Sequence, residues 1–323
     1  MIVGDSLSAL QRRGLRDAVL ACGVFDGVHL GHQRIIKRLT GLAAERNATP
    51  VVVTFDPHPR AILRPEGGPQ MLTISPQKLE LLGNLGAEAA AVLHFSTRMA
   101  RTPPADFLNK ELLCAGIRVH AICVGKDWRF GRNGEGDLDF LREAGEQHDF
   151  YVEGVEPFTW QGRPVSSTRI RRTIRSGHLH QAAEMLGRPH SVRGQVSHGK
   201  GLGTQEMHCP TANLEDPRVL LPPAGVYAAC ARLNPGSSPD SQNRHAGIVY
   251  VGTAPTIARR MPAENPIVEL HLFEFSGDLY GETVEIEFRD FIRADRRFES
   301  YGDLRNQINR DITDAKQRLK RQH

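Results

Sequence analysis

Five short apolar stretches, separated by segments with helical periodicity, constrain the fold of the first half of the chain more than any other feature. The second of them, PVVVTF, is rich in β-branched residues. We interpret them as strands at residues 18–25, 50–55, 90–95, 119–124 and 151–155. Helices are predicted between them at residues 29–47, 76–84, 104–115 and 137–146. Strands that alternate with helices form βαβ units, so we predict a parallel sheet with helices on both faces.

The pattern changes near Gly187, where the segment GRPHSVRG contains the glycine and proline typical of a domain junction. Two helices are predicted before it, at residues 167–176 and 180–186. Short strands with turn signals follow it, at residues 192–197, 225–232, 246–252, 267–275 and 283–288. This spacing predicts a small antiparallel barrel or sandwich. A charged amphipathic helix is predicted at the end of the chain, so we expect two domains, residues 1–186 and 187–323.

The composition is that of an ordinary globular protein, with 40% hydrophobic and 24% charged residues. A net charge of +4 on 323 residues does not indicate a nucleic-acid partner, and it suits an enzyme that handles phosphorylated anions. The five cysteines are odd in number and form no CxxC pair, so we expect reduced thiols and no cysteine-based zinc site. We find no signal peptide and no apolar run of about 18 residues, which predicts a cytoplasmic protein without a membrane span.

The motif GVFDGVHLGHQRII, at residues 23–36, lies where the first predicted strand ends and the first helix begins. Ligands bind outside the carboxyl ends of strands in an open parallel sheet, and a helix N-terminus favours phosphate. His29 and His32 are three residues apart and can share one face of the first helical turn. Gly31 between them allows a nucleotide to approach the backbone. Two imidazoles at this position can stabilise charge that develops on a phosphate during in-line attack.

Two further motifs follow predicted strands at the same edge of the sheet. TFDPHP, at residues 54–59, places Asp56 and His58 after the second strand. VGKDWRFGRNGEGD, at residues 124–137, follows the fourth strand and contains two aromatic residues that offer flat surfaces for a ring. It also contains the cations Lys126, Arg129 and Arg132. A solvated loop explains TFDPHP taken alone, but this motif and the one at residues 23–36 form two polar rims at adjacent strand ends, which favours a site. A mobile basic loop is the alternative for the motif after the fourth strand.

The motif VSSTRIRRTIRSG, at residues 165–177, is predicted to begin a helix with hydroxyl side chains. Ser166, Ser167 and Thr168 can cap that helix and donate hydrogen bonds to phosphate oxygens. Arg169 follows, and guanidinium groups bind phosphates bidentately. A solvated basic face is the common alternative for such a charge run.

HxGH early in a chain and SSTxIR late in a domain resemble the nucleotidyltransferase superfamily. The longer strings FDGVHLGH, TFDPHP, GxDxRFG and VSSTRIR resemble the FMN adenylyltransferase domain of bacterial bifunctional riboflavin kinase/FAD synthetases, over about residues 18–186. The resemblance implies an α/β protein, with a Rossmann-like parallel-sheet nucleotidyltransferase domain followed by a riboflavin kinase-like antiparallel β-barrel and a terminal helix. Val24 departs from the family, which usually has Asn before Phe-Asp-Gly.

The resemblance also implies roles for individual residues. His29, His32 and Arg169 would be catalytic, with the histidines at the ATP α- and β-phosphates. The other ATP- and phosphate-binding residues of this domain would be Gly23, Phe25, Gly31, Ser167 and Thr168, the last two holding pyrophosphate with Arg169. The residues around the flavin and metal would be Asp56, His58, Asp127, Trp128 and Phe130.

The second half resembles the kinase domain of the same family. HGKGLGTQEMHCPTANL resembles its glycine-rich loop, and GVYA, VGTAPT, VELHLFEFSGDLYGE and FIRADRRFES follow in the family's order. Glycines of such a loop can wrap triphosphate oxygens with backbone N–H groups. A carboxylate on a strand can serve as a general base toward a substrate hydroxyl. The implied residues are Gly199, Gly201 and Gly203 for phosphate, Thr211 and Asn213 for Mg²⁺, Glu269 as the base and Arg293 at the flavin.

The expected substrates are therefore ATP with Mg²⁺, riboflavin and FMN, and the sequence gives no prediction of oligomeric state. His208-Cys209 departs from the family, which usually has glycine and an aromatic residue before Pro210. This leaves open a monofunctional FAD synthetase with an inactive barrel. A nucleotidyltransferase for a different phosphorylated substrate is a second alternative. A third is an RNA- or partner-binding protein that uses the basic residues of the last helix, Lys316, Arg318, Lys320 and Arg321.

Overall fold

A computed structural model describes residues 1–113, 116–197, 212–215, 218–235, 243–252 and 267–321. The chain divides into two compact units. The first unit contains Met1–Gln70 and Ser75–Ser166, and the second contains Met71–Ile74 and Ser167–His323. Contacts thus assign residues 167–186 to the second unit, and the domain boundary at residues 186 and 187 stays a prediction.

The first unit is built on a six-stranded sheet in which every neighbouring pair is parallel. Its strands are β1 (Ile2–Gly4), β2 (Asp17–Cys22), β3 (Thr49–Phe55), β4 (Ala89–Leu93), β5 (Arg118–Gly125) and β6 (Tyr151–Val155). They lie side by side in the order β1-β4-β3-β2-β5-β6. The predicted parallel sheet is confirmed, and β1 is an edge strand that the sequence analysis did not find.

Helices cover both faces of this sheet. They are α1 (Leu7–Arg12), α2 (Leu30–Glu45), α3 (Pro59–Leu63), α4 (Ser75–Asn84), α5 (Thr97–Ala100), α6 (Pro104–Phe107) and α7 (Leu138–His148). A π-helical turn over Leu108–Leu112 continues α6, and the two-residue strands β7 (Thr159–Trp160) and β8 (Arg163–Pro164) form a hairpin. Alternate residues of β2 point to opposite faces, so that Leu20 joins one buried core while Val19 and Ala21 join the other.

The order of the strands reverses beside β2. The chain runs from β2 to β3 and β4 on one side, and then returns to place β5 on the other side of β2. A crevice at the carboxyl ends of strands at such a switch point is where doubly wound sheets bind ligands. The motifs at residues 23–36 and 124–137 follow β2 and β5, so the topology brings both to this crevice.

The second unit is a closed barrel with accompanying helices. Its elements are α8 (Ser167–Arg175), α9 (Leu179–Leu186), β9 (Ser191–Ser197), β10 (Ala212–Leu214), β11 (Gly225–Leu233), β12 (Arg244–Gly252), β13 (Ile267–Leu272), β14 (Thr283–Ala294) and α10 (Tyr301–Lys320). The strands close in the order β10-β13-β12-β11-β14-β9, and all pairs are antiparallel. The sequence predicted a barrel or a sandwich, and the observed fold is a barrel.

The terminal helix α10 packs on the outside of the barrel. Ala315 and Leu319 are buried against Val226 and Ile248, which lie on β11 and β12. The segment Met71–Ile74 also belongs to this unit: Met71 forms a parallel bridge with Val219, and its carbonyl oxygen accepts from the Leu220 N–H at 2.7 Å. Four residues from the middle of the first half of the chain thus complete the barrel unit.

A buried charge cluster joins three strands of the barrel. Arg193 on β9 and Arg232 on β11 donate to Glu285 Oε2 on β14 at 2.7 and 2.6 Å, and Ser191 donates to Glu285 Oε1 at 2.7 Å. Burial raises the pKa of Glu285, but the guanidinium of Arg193, the Ser191 hydroxyl and Arg232 outweigh it and lower the pKa to about 2. The ionised carboxylate is therefore the form that the folded barrel stabilises.

We expect Glu285→Gln to destabilise the barrel unit by about 3–5 kcal/mol at pH 7, because it leaves buried guanidinium charge without its partner. A depressed folded pKa means that the stabilisation is present above the ordinary value of 4.5 and is lost as the pH falls toward 2. The difference in the free energy of unfolding between wild type and variant should therefore become smaller in acid. Urea unfolding at pH 7 and pH 3 measures it, with the exposed Glu274→Gln as the control. Equal stability of E285Q and wild type at pH 7 would contradict this account.

Candidate functional site

Residues 23–29, which follow β2, form a loop with an unusual backbone, and residues 25–29 of it are buried. Phe25, Gly27 and Val28 all have positive φ, at 54°, 81° and 40°. Such conformations are unfavourable for Phe and for β-branched Val, at about 1–3 kcal/mol each, and they persist where surrounding structure enforces them. Phe25 and Val28 are each 1% exposed. The strand predicted to run through Phe25 ends at Cys22 instead, so that prediction was wrong by three residues.

His29 and His32 lie together at the start of α2. His29 is the N-cap residue, and its Nδ1 accepts a hydrogen bond from the His32 backbone N–H at 3.3 Å. The two rings stack with centroids 3.6 Å apart, and the Phe25 ring meets His32 edge-on. Because Nδ1 of His29 is an acceptor, its ring proton resides on Nε2. The predicted juxtaposition of the two imidazoles is thus present in the fold.

Gly31 has a steric role that the sequence analysis did not foresee. A Cβ at this position would lie 3.1 Å from both Cε1 and Nδ1 of His29. That distance is tighter than an ordinary van der Waals contact, so a larger residue would displace the imidazole. Glycine at position 31 therefore preserves the position of His29.

Asp56 and His58 occupy the neighbouring strand end. Asp56 follows β3 directly, is exposed, and its backbone N–H donates to the Leu93 carbonyl at 3.0 Å. A cis peptide bond joins it to Pro57. His58 caps α3, with Nδ1 accepting from the Arg60 N–H at 3.0 Å. Both predicted residues thus lie at the carboxyl edge of the sheet, beside the strand that leads to the histidines.

Lys78 lies beneath this edge and was not singled out from the sequence. It is only 3% exposed, and it sits on α4 with its ammonium group at the ends of β2 and β3. Lysine is almost never fully buried, so a lysine within a predicted helix is expected to lie on its solvent-exposed face, and nothing in the sequence indicated that Lys78 is buried.

Trp128 is the accessible aromatic residue of the loop after β5. Its ring stacks on Phe130 with centroids 4.5 Å apart and an interplanar angle of 15°. Phe130 is buried and continues into a row of rings through Phe107 and Phe55. Phe130 therefore supports Trp128 from below, while Asp127 beside it is exposed.

The three cations predicted for this loop are each paired with a carboxylate. Lys126 contacts Glu156 at 2.7 Å, Arg129 contacts Asp137 at 2.7 Å, and Arg132 contacts Glu135 at 3.2 Å. Asp137 is also the N-cap of α7 and accepts a hydrogen bond from the Phe140 N–H. This hydrogen bond lowers the pKa of Asp137, and so does the charge of Arg129. These surface pairs shape the loop after β5.

Ser167, Thr168 and Arg169 form the first turn of α8, which belongs to the second unit. Thr168 is exposed, and Ser167 and Arg169 are partly exposed. The predicted helix start is confirmed, and the phosphate-binding role of the three residues stays a prediction.

The barrel brings Asn213 and Glu269 together. Asn213 on β10 is directly opposite Glu269 on β13, and Glu269 is directly opposite Tyr250 on β12. Opposed residues of antiparallel strands share one face, so these three side chains form a row. Burial raises the pKa of Glu269. Tyr250, whose hydroxyl donates to Asp295 Oδ2 at 3.1 Å, is a member of the row that the motifs did not indicate.

Arg293 links the barrel to its terminal helix. Its Nε donates to Asp311 Oδ2 at 2.9 Å, and Gln307 donates to the other carboxylate oxygen at 2.7 Å. Asp311 is 2% exposed, so the pair is an internal one. The predicted contact of Arg293 with a flavin stays a prediction, and its observed partner is α10.

Several predicted kinase residues lie outside the described residues. They are Gly199, Gly201, Gly203 and Thr211, together with His208-Cys209.

Two of the basic residues of α10 are paired within the barrel unit: Lys316 with Glu274 at 3.0 Å, and Arg318 with Asp290 at 2.9 Å. These pairings weaken the case for α10 as a free basic surface.

The two halves of the chain match two protein-family models. Residues 11–169 match the model described as FAD synthetase, and residues 186–319 match the one described as riboflavin kinase. The chain is also similar over nearly its full length to proteins named bifunctional riboflavin kinase/FMN adenylyltransferase. The one from Pseudomonas fluorescens is 35% identical over 301 residues, 93% of each chain. The one from Escherichia coli K12 is 33% identical over 299 residues, 93% of this chain and 92% of the relative.

A solved structure has a similar fold throughout. The crystal structure of a macrolide-efflux protein from Streptococcus pneumoniae gives a TM-score of 0.79 at 27% identity and covers 96% of each chain. In the part of this chain that the structure describes, no helix is both long and apolar enough to cross a membrane.

Proposed function

The chain belongs to the family of bifunctional riboflavin kinase/FMN adenylyltransferases, and we propose that it converts riboflavin to FMN and FMN to FAD, each with ATP. The observation that carries the proposal is the stacked pair of His29 and His32 at the N-terminus of α2, at the switch point of the parallel sheet. The row of Asn213 and Glu269 in the barrel supports the second activity. Both family models match the chain, and neither match favours the monofunctional alternative.

In the first unit, adenylyl transfer requires positioning of ATP and neutralisation of its phosphates. The N-terminus of α2 presents backbone N–H groups and a partial positive charge to an anion. His29, with its proton on Nε2, donates a hydrogen bond to a phosphate oxygen, and His32 stacked on it acts on the neighbouring phosphate. Negative charge that develops on the α-phosphate as the FMN phosphate attacks is thereby stabilised. Gly31 keeps the imidazole of His29 where it can do so.

The flavin contacts and the leaving group complete this reaction. We assign the flavin ring to the exposed face of Trp128, with Phe130 as the support beneath it. Asp56, His58 and Asp127 then bind polar groups of the flavin or an accompanying metal. On the resemblance of the motif VSSTRIR alone, we propose Ser167, Thr168 and Arg169 as the residues that hold the departing pyrophosphate through hydroxyl and guanidinium donors.

In the second unit, Glu269 accepts the proton of the riboflavin 5′-hydroxyl as that oxygen attacks the γ-phosphorus of ATP, the bond from this phosphorus to the bridging oxygen breaks, and ADP leaves. A buried carboxylate with a raised pKa is a stronger base than an exposed one, which suits this role. Mg²⁺, when bound with ATP, neutralises triphosphate charge. The amide oxygen of Asn213 is a ligand type that Mg²⁺ accepts, and we assign Asn213 and Thr211 to hold it.

The proposed partners are small molecules: ATP, riboflavin, FMN and FAD. We propose a cytoplasmic location, where these nucleotides are available, and neither a nucleic-acid nor a membrane partner. Both reactions depend on ATP with Mg²⁺, so chelation of Mg²⁺ should stop both.

The test is chromatographic. Purified protein is incubated with riboflavin, ATP and Mg²⁺, and separately with FMN, ATP and Mg²⁺, and the flavins are resolved over time. We expect FMN followed by FAD in the first mixture and FAD in the second. FAD from FMN alone would show a silent barrel and would point to His208-Cys209. Conversion of neither flavin would overturn the proposal and direct attention to other phosphorylated acceptors.

A further inference from the structure

The proposed mechanism leaves unexplained a buried lysine near the edge of the sheet, Lys78. Its ammonium nitrogen lies 3.4 Å from the Val24 carbonyl oxygen, 3.1 Å from Thr54 Oγ1 and 3.2 Å from the Phe55 carbonyl oxygen. Lysine carries three N–H donors, and three acceptors surround it here. The side chain thus links three acceptors by hydrogen bonds inside the protein and is not a solvated surface group.

The three acceptors lie in two of the motifs: Val24 is in the loop after β2, and Thr54 and Phe55 are the last two residues of β3. Val24 immediately precedes the positive-φ residue Phe25, and Phe55 immediately precedes Asp56. Thr54 joins them further, because its hydroxyl donates to the Val24 carbonyl at 3.1 Å while it accepts from Lys78. Lys78 therefore fixes the spacing between the end of β2 and the end of β3.

The charge of Lys78 also has local partners. Burial lowers its pKa, whereas the carboxylates of Asp56 and Asp26 raise it. Asp26 is itself 1% exposed and lies within the loop that leads to His29. An apolar side chain would donate no hydrogen bond to Thr54 Oγ1 or to the Phe55 carbonyl oxygen and would place no positive charge beside Asp26, and loss of hydrogen bonds to buried acceptors is destabilising.

We propose that Lys78 is a positioning residue for adenylyl transfer. Its ammonium holds the loop of His29 and the loop of Asp56 and His58 at a fixed separation, so that both act on one pair of bound substrates. The inference rests on the proposed function of the first unit. Displacement of a reacting group by about 1 Å can lower a rate by about 100-fold, so a cross-link that sets this separation controls the rate.

The decisive variants are Lys78→Met, which keeps most of the length of the side chain without its donors, and Thr54→Val, which removes the bridging hydroxyl. Thr54→Ser keeps the hydroxyl and is the matched control. Leu82→Val, a fully buried change on the same helix, controls for loss of stability alone. For each full-length variant we would measure kcat and KM of FAD formation per folded molecule, riboflavin phosphorylation, and amide hydrogen exchange of residues 24–29 and 56–58.

We expect Lys78→Met to lower kcat for FAD formation by roughly 100-fold, with KM values changed by less than about threefold. Thr54→Val should lower kcat by about three- to tenfold, with Thr54→Ser restoring it, and exchange in both loops should rise in the two impaired variants. Riboflavin phosphorylation should stay at the wild-type rate. Leu82→Val should lower the unfolding temperature but not kcat per folded molecule.

The inference is overturned if Thr54→Val and Lys78→Met retain wild-type kcat, or if Leu82→Val loses as much kcat as they do. It is also overturned if hydrogen exchange of the two loops is the same in wild type and Lys78→Met. That last comparison needs no substrate, so it stays decisive even if wild-type protein forms no FAD, a result that would refute the proposed function instead.

Discussion

Replacement of His29 by alanine should lower FAD formation from FMN by about 10²–10³-fold, to near the limit of detection, while FMN formation from riboflavin stays at the wild-type rate. The magnitude is that of removing one preorganised donor from developing negative charge. Two further losses accompany it. The His32 N–H loses its cap acceptor, and the His32 ring loses its stacking partner.

Separate assays of the two reactions on one preparation measure this effect, because the barrel's activity reports on the amount of intact protein. His148→Ala is the matched control, since His148 is an exposed histidine of the same unit in the last turn of α7. Equal loss of both activities in His29→Ala would contradict separate sites. Wild-type FAD formation would remove His29 from the mechanism.

Replacement of Glu269 by glutamine should lower riboflavin phosphorylation by about 10²–10⁴-fold and leave FAD formation from added FMN unchanged. Glutamine keeps the shape of the side chain opposite Asn213 and Tyr250, but it cannot accept the proton of the substrate hydroxyl. Because burial raises the pKa of Glu269, wild-type kcat/KM for phosphorylation should fall in acid at a pH above the ordinary carboxylate value of 4.5. Below that raised pKa the base is protonated and inactive.

Measurement of kcat/KM against pH separates catalysis from structure. In Glu269→Gln the residual activity should lack the acid limb that wild type shows. Glu274→Gln, an exposed change in the same unit, should retain both activities and the wild-type profile. Retained phosphorylation in Glu269→Gln would assign the base to another residue.

The alternation of apolar runs with helical segments was enough to predict five of the six strands, the four inner ones and the edge strand β6, because buried parallel strands are continuous runs of apolar residues. Edge strand β1 escaped prediction for the converse reason: it has three residues, and Ile2 and Val3 are exposed. Strand β10 is equally short. Short strands owe their conformation to their neighbours, and their own sequence carries little signal of it.

The motifs located the candidate site, but not the contacts that hold it. HxGH predicted the adjacent imidazoles, since residues three apart share a helix face. It did not predict the positive φ of Phe25 and Val28, because side chains of these types disfavour that conformation and only tertiary packing enforces it. Lys78 and Tyr250 were missed because their hydrogen-bond partners are distant in sequence. Lys78 donates to the carbonyl oxygens of Val24 and Phe55, and Tyr250 donates to Asp295.

The bridge between Met71 and Val219 has a consequence for biosynthesis of the chain. Met71–Ile74 leaves the ribosome long before its partner, since Val219 is translated about 145 residues after Ile74. At about 5–20 residues per second, the interval is roughly 7–30 s. During that time the first unit can complete its sheet while the four-residue segment still lacks its bridge partner Val219. The two parts of the barrel unit are therefore synthesised separately, and a ribosome that stalls between them leaves Met71–Ile74 on the nascent chain without Val219 to pair with.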